Sequence, residues 1–471
     1  MLALGLMAAG CDKSGTEPGG SGAASGVAPK VESVSLSDNS TDVSVDLSVI
    51  DVIYDLPIIL KDASKITMNG AEVTSTVANK RLRIEFGKLE YGTEYRLAVA
   101  SGAVAAKSTE ALCEGVTLSF TTEREVLPPL PPYTPGEPGN YSQTLVTENP
   151  IENARRLYEY MLSIYGKNTL SGAMAKVNWN LDEVNWVQKW TGKFPAMATF
   201  DYIHLASSPA DWINYGDITP AKEWFDKGGI VSASWHWNVP VKQGSTELTF
   251  NTNTTFKASN VVKEGTWENE VAKADLEKIA GYLKLLQDAG IPVVWRPLHE
   301  AAGNTYTQWH SGAWFWWGAE GAQAYRELWV YMFNYFKKAG LRNLIWVWTT
   351  QTSMESDADY EFYPGAEYVD IVGKDIYNNT NASNIASQFN TVTRMVTDKM
   401  VTLSENGGVS DMASQWDSGA KWLYFMPWYD YGNDWSESYA HGHATIAWWR
   451  QSFASDAVLD LSELPKDLYV K

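Results

Sequence analysis

The sequence predicts a (β/α)₈ TIM barrel, an α/β fold, preceded by a small all-β immunoglobulin-like sandwich. Three observations predict it. Residues 31–124 carry short runs of alternating apolar and polar residues separated by turn signals. Residues 125–140 are crowded with proline, and residues 141–471 carry eight short apolar runs with amphipathic stretches between most of them. A chain of 471 residues exceeds what one hydrophobic core holds, so two domains are the natural expectation.

Residues 1–11, MLALGLMAAGC, form a short apolar stretch with small residues just before a cysteine. The stretch resembles a bacterial lipoprotein signal, which implies lipidation of Cys11 and a protein anchored at the cell envelope, at the outer membrane and surface-exposed. It is too short to span a bilayer, and no later apolar run reaches that length. With Cys11 lipidated, Cys113 has no disulfide partner, which suits a large exported domain that needs no staples. Residues 12–30 are rich in Gly, Ser and Ala and read as a flexible tether.

In 31–124 the runs VESVSLS, VSVDLSVIDVIY, RLRIEF, YRLAVA and VTLSFTT are divided by Asp38-Asn39, Asn69-Gly70 and Tyr91-Gly92. The closing SFTTE resembles bacterial Ig-like modules. Its aromatics are sparse, so a spacer is favoured over a carbohydrate-binding module. The proline run then marks a domain boundary with extended, stiff backbone.

The eight runs that follow are TLSGAM (169–174), FPAMATFDY (194–202), GIVSASWHW (229–237) and IPVVWRPLHE (291–300), then NLIWVWTTQ (343–351), VDIVGKDIY (369–377), MVTLSEN (400–406) and WLYFMPWYD (422–430). Helical periodicity between them is clearest at 271–289 and 323–339, each ending at a glycine. A doubly wound open sheet is the alternative, but no Gly-rich phosphate loop follows the first run.

A formal net charge of −19 argues against nucleic acid, whose phosphates need a basic face. The unusual figure is 22 Trp and 24 Tyr against 14 Phe. Such rings either fill a core or line a cleft where they stack on sugars, and composition alone does not separate the two.

The strand tips are more specific. They bring Asp201, Tyr202, Trp235, His236, Trp237, Arg296, His299, Glu300, Trp348, Gln351, Asp375, Tyr377, Glu405, Asn406, Trp428, Tyr429 and Asp430 to one end of the barrel, where such folds do chemistry. A lone strand-end glutamate is usually structural, but two at one mouth supply an acid and a nucleophile for cutting a glycosidic bond. In a retaining mechanism one of the two is ionised and attacks the anomeric carbon while the other protonates the leaving oxygen, then acts as base toward water. The two carboxyls then need to lie about 5–5.5 Å apart. Arg296 is placed to keep Glu405 charged, unless it merely pairs with a structural carboxylate.

RPLHE on strand four, WFWWG (314–318) after it and SENG on strand seven resemble glycoside hydrolase family 26, over roughly residues 141–471. The resemblance implies a retaining, endo-acting β-1,4-mannanase acting on mannan, glucomannan or galactomannan. It implies Glu300 as acid/base, Glu405 as nucleophile, His299 as a neighbour that orients the site and Tyr377 as hydrogen-bond donor to the nucleophile. Trp314 and Trp428 match aromatic positions near the cleavage subsites. Trp235, His236, Arg296 and Trp309 complete the expected substrate-binding set. Two alternatives keep the cleft: the same mechanism on mixed-linkage β-glucan or β-1,3-xylan, and a non-catalytic glycan-binding surface protein. Partners implied are the β-mannan polysaccharide, the membrane through the lipid anchor, and other surface glycan-utilisation proteins.

The segment AAGNTYTQWHSGA (301–313) is longer than in many relatives and brings Asn304, Tyr306, Trp309 and His310 near the mouth. The Thr- and Asn-rich connection 239–266 is expected to form one cleft wall. No cofactor is expected. His441 and His443 form an HxH, but without HExxH, and on a helix the two rings would face apart, so no catalytic metal is expected.

Overall fold

In the computed structural model, which describes residues 26–124, 127–177, 179–303, 312–351 and 356–470, the chain forms two compact units, Met1–Val126 and Leu127–Lys471. Cys11 and Trp309 lie outside the described residues, as do Asn304, Tyr306 and His310.

The first unit is a β-sandwich. One sheet has the order Val31–Val34, Val49–Tyr54, Arg81–Glu85, Thr74–Ala78; the other runs Ser40–Val43, Val116–Thr122, Glu94–Val99, Ile66–Met68, Ala71–Glu72. The period of two in RLRIE becomes burial, with Leu82 and Ile84 inside and Arg81, Arg83 and Glu85 outside. Those residues pack with Ile50, Val52, Leu97 and Phe120. Cys113 sits in this core as a free thiol, and burial, with Asp55 nearby, pushes its pKa up to about 11.

The proline segment is not a free spacer from residue 127 onward. Leu127 is buried in the barrel core, Gly136 and Gly139 donate to the carbonyls of Arg394 and Thr397 (both 2.9 Å), and Arg326 donates to that of Pro128. Proline removes backbone donors, so Gly136 and Gly139, each following a proline, make these bonds.

The second unit closes eight parallel strands into a barrel: β1 (Thr169–Met174), β2 (Met197–Asp201), β3 (Ile230–Trp235), β4 (Val293–Pro297), β5 (Leu344–Thr350), β6 (Ile371–Tyr377), β7 (Met400–Gly407) and β8 (Tyr424–Pro427). Neighbours pair in sequence order, and β1 pairs with both β8 and β2 to close the ring. All eight predicted runs are strands, with ends trimmed by up to three residues. The helix Trp267–Asp288 is capped by Thr266, which accepts from the Asn269 amide, and it buries Leu276, Ile279, Leu283 and Leu286. The helix Ala322–Lys338 follows Gly321 and ends in Lys337 and Lys338, which complement the helix dipole.

The tryptophans are mostly structural. Trp224, Trp295, Trp329, Trp348, Trp422 and Trp449 are all less than 2% exposed. Trp295 and Trp346 both contact Phe336 on the helix Ala322–Lys338, so the sheet–helix layer holds much of the aromatic excess. The inward-facing residues of β4, β6 and β7 near their C-terminal ends are by contrast polar, and they build the mouth.

Candidate active site

β4 stops at Pro297, so Glu300 is not on the strand but in the turn beyond it. Leu298 (φ 48°) and Glu300 (φ 53°) both take left-handed backbone, which costs non-glycine residues of order 1–3 kcal/mol each. The surroundings hold that turn. Tyr325 donates to the Leu298 carbonyl and Trp317 Nε1 to that of His299 (both 2.9 Å), while the Glu300 amide reaches the Thr349 carbonyl on β5 (3.1 Å). Gly318 closes WFWWG because a β-carbon there would lie 1.8 Å from the Ala301 carbonyl oxygen. The motifs RPLHE and WFWWG are thus two halves of one device that fixes Glu300.

Glu405 sits within β7, opposite Asp375 on β6. Its two oxygens have different donors. Arg296 Nη2 bonds Oε2, and the Tyr377 hydroxyl donates to Oε1. Arg296, 1% exposed, also bonds Asp375 Oδ2 (3.0 Å) through Nη1 and Ser234 (3.3 Å) through Nε. Ser404 donates to the other Asp375 oxygen (2.7 Å). Burial pulls the Arg296 pKa down, but the carboxylates of Asp375 and Glu405 outweigh it and hold the guanidinium charged.

Burial drives the Glu300 pKa well above the usual carboxylate range, and the charges of Asp375 and Glu405 push the same way against Arg296 and Lys374. Burial also raises Asp375, but there Arg296 and Ser404 are in direct contact and oppose the shift. The proton therefore belongs on Glu300. Burial, then Glu405, holds the Tyr377 phenol protonated. Burial, with Arg296 and His236 nearby, holds His299 well below its ordinary value, as a neutral imidazole.

His236 is oriented by Asp201 from β2, with Nδ1 2.5 Å from one oxygen and the amide 3.1 Å from the other. Its ring meets His299 edge-on (centroids 4.5 Å), Trp428 (5.6 Å), and Phe250 (5.3 Å) from the connection 239–266, which does reach the mouth. Trp428 and Tyr429 cluster with Met174, Met426, Val177 and Tyr377. Trp314 is half-buried against the core.

Trp235 needs correcting. It is 0% exposed and stacked on Trp237 at 4.2 Å, so its ring offers no face to a sugar. Odd-even alternation turns it toward the helices, whereas His236, just past the strand, faces the cleft. The HxH also differs from the helix considered for it, since both histidines lie in the loop before the helix Ile446–Ser452. His441 Nε2 pairs with Glu183 (3.0 Å), and its Nδ1 accepts the amides of His443 and Ala444. His443 instead packs edge-on against Tyr377 (5.5 Å). Among the described residues no group of three or more His, Cys, Asp or Glu is placed to hold a metal.

Asp375, already among the strand tips at the mouth, gets its role only here, as the second carboxylate on Arg296. Its signal was the charged pair Lys374-Asp375 inside the apolar run VDIVGKDIY.

The model of glycosyl hydrolase family 26 matches residues 146–455, and that of a bacterial Ig-like domain matches 25–122. Mannan endo-1,4-beta-mannosidase B of Piromyces sp is 35% identical over 334 residues, 68% of this chain and 54% of that protein. Mannan endo-1,4-beta-mannosidase of Thermothelomyces thermophilus is 32% identical over 313 residues, 64% of this chain and 60% of that protein. The chain thus spans between half and three-fifths of the length of the first curated relatives it matches. Among solved structures, the GH26 domain of the Prevotella bryantii endo-beta-mannanase/endo-beta-glucanase is 40% identical with a TM-score of 0.63, covering 68% of this chain and 99% of that one. A beta-mannanase from a symbiotic protist of the termite Reticulitermes speratus, complexed with gluco-manno-oligosaccharide, is 32% identical with a TM-score of 0.59, covering 69% and 98%.

Proposed function

The chain belongs to glycosyl hydrolase family 26, and from the chemistry of its mouth we propose that it cleaves β-1,4-mannosidic linkages within mannan, glucomannan or galactomannan, with retention. One observation carries the mechanism: Glu405 has a cation on one oxygen and a phenol donor on the other, while Glu300 is buried among negative charges. The first arrangement favours a carboxylate, the second a carboxylic acid.

Glu405 attacks the anomeric carbon, and the bond to the leaving oxygen breaks as Glu300 gives that oxygen its proton. In the glycosyl-enzyme Glu405 is an ester and carries no charge, so one of the repulsions that kept Glu300 protonated is gone. Glu300 then takes a proton from water as the water attacks the same carbon, and both glutamates return to their starting states. Tyr377 and Arg296 hold the Glu405 oxygens, His299 stands beside the cleft as a neutral imidazole, and Asp201 orients the His236 ring there. The mannan substrate is supported by the relatives' activities. Mixed-linkage β-glucan and β-1,3-xylan belong in the same assay.

The test is sugar release from a panel of these polysaccharides, with Glu405→Ala as control and the product anomer followed by NMR. Equal release by wild type and variant, or an inverted first product, rejects the mechanism. Binding of mannan without release by either protein would favour a glycan-binding protein instead.

We also propose that Cys11 carries lipid and anchors the protein at the cell envelope, on the strength of MLALGLMAAGC. Cys11→Ser should move the protein from the membrane to the soluble fraction; continued membrane retention rejects the anchor.

A further inference from the structure

A line of rings runs outward from beside Glu300. His299 meets His236 (centroids 4.5 Å), His236 meets Trp428 (5.6 Å), Trp428 meets Tyr429 (5.1 Å), and Tyr429 meets Tyr431 edge-on (5.1 Å). The first four are no more than 9% exposed, whereas Tyr431 is 76% exposed. An aromatic ring left in water contributes little to stability, so Tyr431 is free for contact with a ligand.

The loop that carries Tyr431 is nevertheless tightly held. Lys176, just past β1, donates to the carbonyls of Tyr431 (3.1 Å) and Gly432 (2.8 Å) and to Asn433 Oδ1 (2.5 Å). Asp430 accepts the Gly432 amide (2.8 Å) and the Tyr439 hydroxyl (2.6 Å). A β-carbon at Gly432 would lie 1.9 Å from that hydroxyl oxygen, so a larger residue there would have to displace the Tyr439 ring. The backbone under the exposed ring is therefore ordered before any ligand arrives, which lowers the entropic cost of binding to it.

We propose that Tyr431 is an outlying sugar platform on the β8–β1 side of the mouth, stacking one β-linked hexopyranose unit of the bound polysaccharide away from the bond being cut. The proposal rests on the glycan-cleaving function above and extends it outward. A flat ring with a polar edge suits the C–H face of a pyranose. Stacking of this kind does not read individual hydroxyls, so the platform accepts mannose and glucose units alike and adds affinity for length rather than selectivity for sugar.

The test is kcat/KM over a series of β-1,4-manno-oligosaccharides from mannobiose to mannohexaose for wild type, Tyr431→Ala and Tyr431→Phe. Tyr431→Ala should match wild type on the shortest oligosaccharide cleaved and fall about tenfold on longer ones, with Tyr431→Phe retaining most of the gain. No loss at any length overturns the platform; an equal loss at every length does so too, since it marks a ring that only supports the loop. If wild type cuts gluco-oligosaccharides but no manno-oligosaccharide, the mannan substrate fails, and the same length series on the gluco-oligosaccharides still decides Tyr431. Calorimetry with mannohexaose and cellohexaose in a Glu405→Ala background gives an answer independent of turnover: if adding Tyr431→Ala weakens neither, there is no platform.

Discussion

Arg296 and Glu405 form a buried ion pair across the barrel mouth, from β4 to β7, and the second arm of the same guanidinium holds Asp375 on β6. One cation thus serves two carboxylates while a third, Glu300, stands nearby without direct contact to it among the described bonds. Burial first, and then that imbalance of charge, leaves a proton on Glu300. It also explains how a buried arginine is at once a structural partner and a catalytic one, two roles that sequence alone left as alternatives.

Arg296→Met is predicted to destabilise the barrel by about 3–5 kcal/mol, because two buried carboxylates lose their compensating charge. Activity should drop by roughly 100-fold, since Glu405 would lose the cation that holds one of its oxygens. Chemical denaturation together with kcat measures both. A variant of wild-type stability would mean that Asp375 and Glu405 do not depend on Arg296.

Asp375→Asn is predicted to shift the pH profile. Activity needs Glu300 protonated, and the negative charge of Asp375 is among the causes that raise the Glu300 pKa. Removing it lowers that pKa, so the alkaline limb of kcat/KM should move to lower pH, by up to about one unit. An unmoved limb would show that Asp375 carries no charge in the resting enzyme. The limbs report the coupled set of carboxylates rather than one residue.

Glu300→Ala should separate substrates by leaving group. Natural polysaccharide needs an acid to help its oxygen depart, whereas a dinitrophenyl mannobioside does not. Cleavage of polymer should fall roughly 10²–10⁴-fold, the usual worth of general acid catalysis. Formation of the glycosyl-enzyme from the activated substrate should survive, with deglycosylation slowed. Equal losses at that first step for both substrates would take the acid role away from Glu300.

Much of this was legible in the sequence because closed parallel strands are buried on both faces and announce themselves as short apolar runs. The positions of Glu405 and Tyr377 followed directly, as each lies within its run. Glu300 was found for a partly wrong reason: it stands past the end of β4, in a left-handed turn that Trp317, Tyr325 and Thr349 hold from other parts of the chain. No local pattern encodes such a hold. The alternation of side chains settles which way Trp235 points only once the end of β3 is known, and run boundaries were the least certain part of the sequence pattern. The role of Asp375 depends on Arg296 choosing two partners from different strands, which is a property of closure.

Trp235 and Trp428 should behave as different kinds of tryptophan. Trp235 is fully buried and stacked on Trp237, so Trp235→Ala leaves a cavity and is predicted to cost about 3–5 kcal/mol in denaturation while leaving KM of the folded enzyme near wild type. Trp428 is 9% exposed at the end of β8, its ring beside His236 at the cleft. Trp428→Ala is predicted to cost less stability and to lower kcat/KM on mannan about tenfold or more, because a sugar face loses its ring. If Trp235→Ala instead raised KM sharply without loss of stability, its ring would have to reach substrate, and its packing toward the helices would be wrong.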